Sequence, residues 1–391
     1  MTPADGRGRN PGIDLLRGLS IVLVVIHHTA IRLPLDKSLL ADWLPPRLLD
    51  GLQYNGFEAV FLFFVISGFL ITSNSLARWG QLAAIDVRAF YRRRAARIVP
   101  CLLALVAVLS ALALAGAPHY TMEQPKQTLP GTVLSALGLY LNVYQSNTGW
   151  LPAGWGVLWS LSIEEVFYLA FPVVCLLLGR TRLLVPALAL LALSIPVVRA
   201  NIHHEEIWSE ENYLQGMASI ATGVLAALLV RRWPRPRHST VRWTLVLGVV
   251  GLLAVFFAGS ELWHTLRLKY MLVLTFSAAA VAIAAHWRAS IATTPPLRAS
   301  GWLKSFGRLS YEIYLTHMFV VWLVVDRFTA AGSDLRLGLV WYAPILAGAW
   351  ALGWVVERSF SAPLARAIAG GSASASRPLA RGATLAPEAS S

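Results

Sequence analysis

Asp14-Leu-Leu-Arg17-Gly-Leu-Ser-Ile-Val-Leu-Val-Val-Ile-His27-His28 is the stretch that decides how this chain folds. It lies in an apolar run long enough to cross a bilayer, about 20 residues, yet it carries four ionisable side chains. Arg7 and Arg9 precede it, as in a secretory leader. Arg17, His27 and His28 interrupt the apolar core, however, and no small-x-small cleavage pattern follows, so the run reads as a retained first helix. Charges inside a membrane helix cost a few kcal/mol or more, so they default to a functional reading. At about 100° per residue, the eleven steps from Arg17 to His28 end only about 20° off and about 16 Å further along. Arg17 and His28 therefore share a face, and His27 points about 80° away from Arg17. Asp14, three residues earlier, can pair with Arg17.

Composition extends that reading to the whole chain. Of 391 residues 56% are hydrophobic and 14% charged, against about 25% charged in a soluble domain. The excess of Lys and Arg (33 against 20 acidic residues) sits in short segments between apolar runs. It therefore sets orientation in a membrane rather than marking a nucleic-acid binder. Two cysteines, Cys101 and Cys175, give no disulfide framework and no metal-ligand spacing.

Apolar candidates lie near 13–33, 57–77, 98–117, 130–146, 157–178, 183–199, 213–230, 242–259, 269–286, 309–328 and 338–357. With the N-terminus inside, the loop carrying Arg78, Arg88, Arg92, Arg93, Arg94 and Arg97 also falls inside. If 130–146 spans, Arg180, Arg182, Arg231, Arg232, Arg235, Arg237, Arg288, Arg298 and Lys304 all fall outside, and the acidic 203–211 segment inside. If it does not, every loop obeys the positive-inside rule. The expectation is an all-α polytopic membrane protein of about ten transmembrane helices, with 130–146 re-entrant or interfacial and both termini cytoplasmic. The segment 1–12 is then a cytoplasmic lead, 13–360 the transmembrane domain, and 361–391 a disordered cytoplasmic tail rich in Ser, Ala, Pro and Gly.

Three further clusters carry ionisable or polar residues. In Trp159-Ser-Leu-Ser-Ile-Glu164-Glu165-Val-Phe-Tyr168, i, i+4 spacing puts Ser160, Glu164 and Tyr168 on one face and turns Glu165 elsewhere. In Gly307-Arg-Leu-Ser310-Tyr-Glu-Ile-Tyr314-Leu-Thr-His317, Ser310, Tyr314 and His317 align. The polar groups of both can also be packing glue between helices. Four arginines within six positions, Arg92, Arg93, Arg94 and Arg97, satisfy orientation, and their forks also suit phosphates bidentately.

Together these residues resemble the bacterial acyltransferase 3 membrane family. Arg17-x10-His28 is similar to its signature, Phe63-Phe64-Val-Ile-Ser67-Gly68-Phe-Leu-Ile71 to its second-helix motif, and Arg93-Arg94-x-x-Arg97-Ile98-x-Pro100 to its basic loop. The Trp159–Tyr168 and Gly307–His317 stretches resemble two later motifs. Departures are Ala59-Val60-Phe61-Leu62, where Gly-Val-x-Leu is common, and Val166, where Gln is usual.

The resemblance implies ten helices and transfer of an acyl group, usually acetyl, from cytoplasmic acyl-CoA to a hydroxyl of a surface glycan or other acceptor. Acyl-CoA is a co-substrate, and no bound cofactor or metal is implied. Some members append a soluble hydrolase-like domain, and this chain resembles the stand-alone kind. It implies Arg93, Arg94 and Arg97 on the CoA phosphates and Arg17 on pantetheine or a phosphate. His28 is then general base or transient acyl carrier, and Glu164 orients His28 or binds the acceptor from the outer side. Ser67, Tyr168 and His317 are expected to bind substrate. Rival readings are a transporter or glycan flippase using the same polar residues as a pathway, or a sensor that keeps the fold without the chemistry. Oligomeric state and acceptor are not legible.

Overall fold

The structure, a computed structural model, describes residues 10–200, 206–234, 236–291 and 300–370. The lead before Asn10, residues 203–205 of the acidic segment, Arg235, Arg298 and the tail from 371 lie outside the described residues. Among the described residues every regular element is a helix, and nine helical stretches are long and apolar enough to cross a membrane.

The first helix, α1 (Pro11–Ala30), starts where sequence chemistry directs it. The Asn10 side chain accepts from Gly12 N at 2.9 Å, and Pro11 occupies the first helical position. Helix α2 (Gly56–Trp79) stops at Gly80, whose φ of +76° suits glycine. Helix α3 (Val87–Leu114) is capped by the Asp86 carboxylate, which accepts from Ala89 N at 2.9 Å. The basic segment expected as a loop is therefore helical. Its composition changes at Ile98, but its backbone hydrogen bonding does not.

The 130–146 segment forms α4 (Leu129–Leu137) and α5 (Leu141–Thr148), broken at Leu139, whose φ is +61°. Nine and eight residues are too few to span. The Asn142 amide donates to Glu211 O at 2.9 Å and the Gln145 amide to the Glu211 carboxylate at 2.7 Å. These bonds pin α5 to the chain just before α9.

Next come α6 (Trp159–Leu178), then α7 (Leu184–Leu193) and α8 (Ile195–Ala200). The last two occupy the span expected at 183–199 as one shorter apolar helical stretch, Leu184–Ala200, with a turn at Ser194. The remainder is α9 (Tyr213–Arg232), α10 (His238–Phe257), α11 (Tyr270–Ile291), α12 (Gly301–Arg308), α13 (Ser310–Ala330), α14 (Tyr342–Val356) and α15 (Ala362–Gly370). The tail expected from residue 361 thus begins as a helix.

Close backbone approach fixes the helices that bear the site. A Cβ on Gly68 of α2 would run into the carbonyl oxygen of Ile220 on α9, so only glycine lets the two backbones touch. A Cβ on Gly307 of α12 would meet the carbonyl oxygen of Asp14 on α1 in the same way. Lipid tails are as apolar as leucine, so small-residue packing of this kind holds membrane helices together. It sets the height of Ser67, next to Gly68, and of Arg17, one turn beyond Asp14. Helix α10 presents Leu247, Val250 and Leu253 outward, a face suited to lipid.

Candidate functional site

Helices α1, α2, α3, α6 and α13 enclose a cavity of about 880 Å³. It lies at the end of the bundle where α1, α3 and α13 begin, hereafter the arginine end. Helical period explains its basic wall. Within α3, Arg93 and Arg97 are four residues apart and Arg94 and Arg97 three, so all three face the cavity. Arg88 and Arg92 fall on other faces. Arg17 enters from α1 and donates through Nη2 to Ser310 Oγ at 2.7 Å.

A compact polar group lies opposite. The Ser67 hydroxyl and the Tyr168 phenol both donate to the same carboxylate oxygen of Glu164 and also touch each other. The Arg94 guanidinium lies 3.6 Å above the Tyr168 ring, with Nη2 3.6 Å from Glu165 and 3.9 Å from Glu164. Glu165, placed on another face by i, i+4 reasoning, also lines the cavity, within reach of the long Arg94 side chain. Arg93 lies 5.8 Å from the Trp79 ring.

Deeper along the bundle the chemistry changes. Tyr314 lines the cavity, donates to Val157 O at 2.9 Å and meets Ser160 Oγ at 2.7 Å. Its ring is 6.1 Å from that of His317, which in turn is 5.2 Å from His28. Neither histidine lines the cavity. His317 is wholly buried, and its Nδ1 lies 3.1 Å from Ile313 O and 2.8 Å from Tyr314 O. Two carbonyls can only accept, so Nδ1 carries the proton and Nε2 keeps a lone pair, which is buried without a partner. His28 keeps part of its surface exposed, while His27 Nδ1 is 3.2 Å from Gln53 O.

Helices α1 and α13 are thus joined by two rungs, Arg17–Ser310 at the arginine end and His28–His317 further along. The shared face of Arg17 and His28 read from the sequence is what places one residue in each rung. Glu164 is expected to orient His28 or bind the acceptor, but the hydrogen bonds of its side chain are made to other residues. It belongs to the arginine end, bonded to Ser67 and Tyr168. Among the described residues no group of three or more His, Cys, Asp or Glu side chains could hold a metal ion.

Residues 10–358 match the family profile described as "Acyltransferase domain". The chain belongs to this family. Its relatives include the O-acetyltransferase OatA of Staphylococcus aureus strain NCTC 8325 / PS 47, 26% identical over 339 residues, covering 83% of this chain and 52% of the relative. A putative O-acetyltransferase of S. aureus strain COL, SACOL0978, is 26% identical over 336 residues, covering 80% of this chain and 50% of the relative. The chain spans about half the length of the curated relatives it matches. No solved structure matches it.

In this acyltransferase-family chain the cavity also uses residues that sequence reading left aside. Asn74 and Arg78 line it beside Ser67. Their i+7 and i+11 spacing puts each within about 20° of Ser67 on α2, a signal present in the sequence. Tyr311 lines it too and donates to Ile98 O at 3.1 Å, tying α13 to α3.

Proposed function

We propose that this chain is a membrane O-acyltransferase that takes an acyl group, acetyl above all, from acyl-CoA and places it on a hydroxyl of a glycan or related acceptor. The observation that carries this reading is the distance between the two rungs. Charge is gathered at the arginine end, whereas the available imidazoles lie about eleven residues of helix away, roughly 16 Å. Such a site suits a donor with phosphates at one end and its reactive carbon on a long, flexible arm, as in acyl-CoA.

In this reading the phosphates meet Arg17, Arg93 and Arg97. Arg94, engaged with Tyr168 and Glu165, braces the wall. The pantetheine arm passes Tyr314 toward His28. Neutral His28 takes the proton of the acceptor hydroxyl as its oxygen attacks the thioester carbonyl. The C–S bond then breaks, and the imidazolium returns the proton to the leaving thiolate. His317 holds His28 in place rather than binding substrate. The arginine end faces the cytoplasm, where acyl-CoA is made, and the histidine end faces the acceptor. Both termini are then cytoplasmic.

The test uses purified protein in lipid nanodiscs with radiolabelled acetyl-CoA. Saturable binding, with label passing to an acceptor glycan mixture, is expected. Absence of acetyl-CoA binding overturns the donor assignment and favours a transporter.

A further inference from the structure

Beyond His28 the first helix ends, and one turn later stands Arg32. Its Nη1 donates to His28 O at 2.8 Å, and its guanidinium lies 4.1 Å from the Trp322 ring. His119 stacks on the same indole at 3.7 Å with an interplanar angle of 9°. Two groups so close to one ring must occupy opposite faces, so Trp322 is held between them. Arg32 also lies within electrostatic range of both the His28 and His317 imidazoles.

What distinguishes Arg32 is the absence of a counter-charge. Arg47 and Arg336, in short helices between the long ones, each pair with a carboxylate: Glu261 at 2.5 Å and Asp42 at 2.8 Å. Asp326 is taken by His119 at 2.9 Å. Among the described residues no carboxylate pairs with Arg32, although it is the more buried cation, and its Nε is buried without a partner. Burial pushes its pKa down to about 10, so it remains charged at neutral pH. A half-buried cation of this kind is costly unless an anion completes it. His28, Arg32 and Trp322 each keep part of their surface exposed, so an anion arriving from outside the bundle can reach them.

We propose that Arg32 anchors the acceptor, and that the acceptor is an acidic glycan whose carboxylate or phosphate pairs with Arg32 while a nearby hydroxyl meets His28. This rests on reading the histidine end as the acceptor's side. Trp322 supplies a rigid edge beside the sugar and holds the guanidinium in place. The geometry places the anion one helical turn from His28, so only hydroxyls near the acid group come within its reach.

The experiment measures direct binding to purified protein in neutral nanodiscs, with three probes. These are trigalacturonate, its fully methyl-esterified form and glucose 1-phosphate. Wild type is expected to bind trigalacturonate at least roughly tenfold more tightly than the ester, as a charge-assisted pair implies. Arg32→Gln should erase that preference, and Arg32→Lys should keep most of it. Thermal unfolding of both variants reports whether they fold. Tight binding of trigalacturonate alone identifies the anion as a carboxylate, and comparable binding of glucose 1-phosphate admits a phosphate. Equal binding of acid and ester by wild type overturns the proposal, whatever the variants do, as does a folded Arg32→Gln that retains the preference. Acetyl-CoA binding is measured on the same wild-type sample. Its failure removes the donor reading, while the acid–ester comparison still decides the role of Arg32.

Discussion

The arginine end and the histidine end are served by the same two helices, α1 and α13, yet they are built on opposite principles. At the arginine end long charged side chains surround an open cavity. Arg94 is stacked on Tyr168 and drawn to two carboxylates, and Arg17 is bonded to Ser310. At the histidine end short rings pack together, His27 edge-on to His28 and His28 tilted against His317, and His317 spends one nitrogen on backbone carbonyls while the other keeps its lone pair. Charged forks hold an anion wherever it stops, whereas an imidazole such as His28, packed against the buried His317 ring, is suited to moving one proton at one place. The difference separates holding from reacting, with Tyr314 between them. It also makes a strong demand: substitutions at one end should move binding of the donor, and those at the other should move turnover.

The largest effect is expected from His28→Ala. Loss of a general base lowers turnover by about 10²- to 10⁴-fold, and acetyl-CoA binding should be unchanged because His28 does not line the cavity. His27→Ala is the control, since His27 is engaged with Gln53 O on another face of α1. Single-turnover transfer and direct binding, measured on the same preparations, check both statements. An inactive His27→Ala beside an active His28→Ala would break the comparison at its root.

A smaller effect, and of the other kind, is expected from Arg93→Gln with Arg97→Gln. Two charge-assisted contacts together contribute about 3 kcal/mol or more, over a hundredfold in acetyl-CoA affinity. Turnover at saturating donor should remain within a few-fold of wild type. Because the contacts are ionic, the wild-type dissociation constant should rise with salt more steeply than that of the double variant. If instead turnover falls and affinity holds, the arginines do not serve binding, and the split between the two ends is lost.

Much of this is legible in the sequence. The register of Arg17 and His28 follows from helical period alone, and so does the shared face of Ser160, Glu164 and Tyr168. Hydropathy located the spans because backbone groups in lipid must satisfy one another within a helix. What it could not locate were breaks in the backbone. Leu139 in a left-handed conformation and the interruption at Ser194 leave the apolar content of their segments unchanged. The arginines of α3 read as a loop because dense charge commonly marks where an apolar span ends. Here the helix extends beyond its apolar part, and its period aims three of them inward. Depth was hidden as well. The sequence places Glu164 and His28 on helix faces, but which faces meet depends on how α1, α2 and α6 pack, and that packing sets Glu164 against Ser67 and Tyr168.

The smallest effect tests that reassignment of Glu164. Ser67→Ala removes one of two hydroxyl donors to a single carboxylate oxygen, leaving Tyr168 OH in place. One hydrogen bond of this kind contributes about 1 kcal/mol net, roughly fivefold. Tyr168→Phe should act similarly, since its ring still lies under Arg94. The double variant should lose more than the two single effects combined, because the second loss leaves Glu164 with neither hydroxyl and only Arg94 nearby. All three variants should weaken acetyl-CoA binding and leave acceptor KM unchanged, because Ser67, Glu164 and Tyr168 line the arginine-end cavity. A rise in acceptor KM with unaltered acetyl-CoA affinity would return Glu164 to the acceptor's side, and the boundary drawn at Tyr314 would have to move toward the arginines.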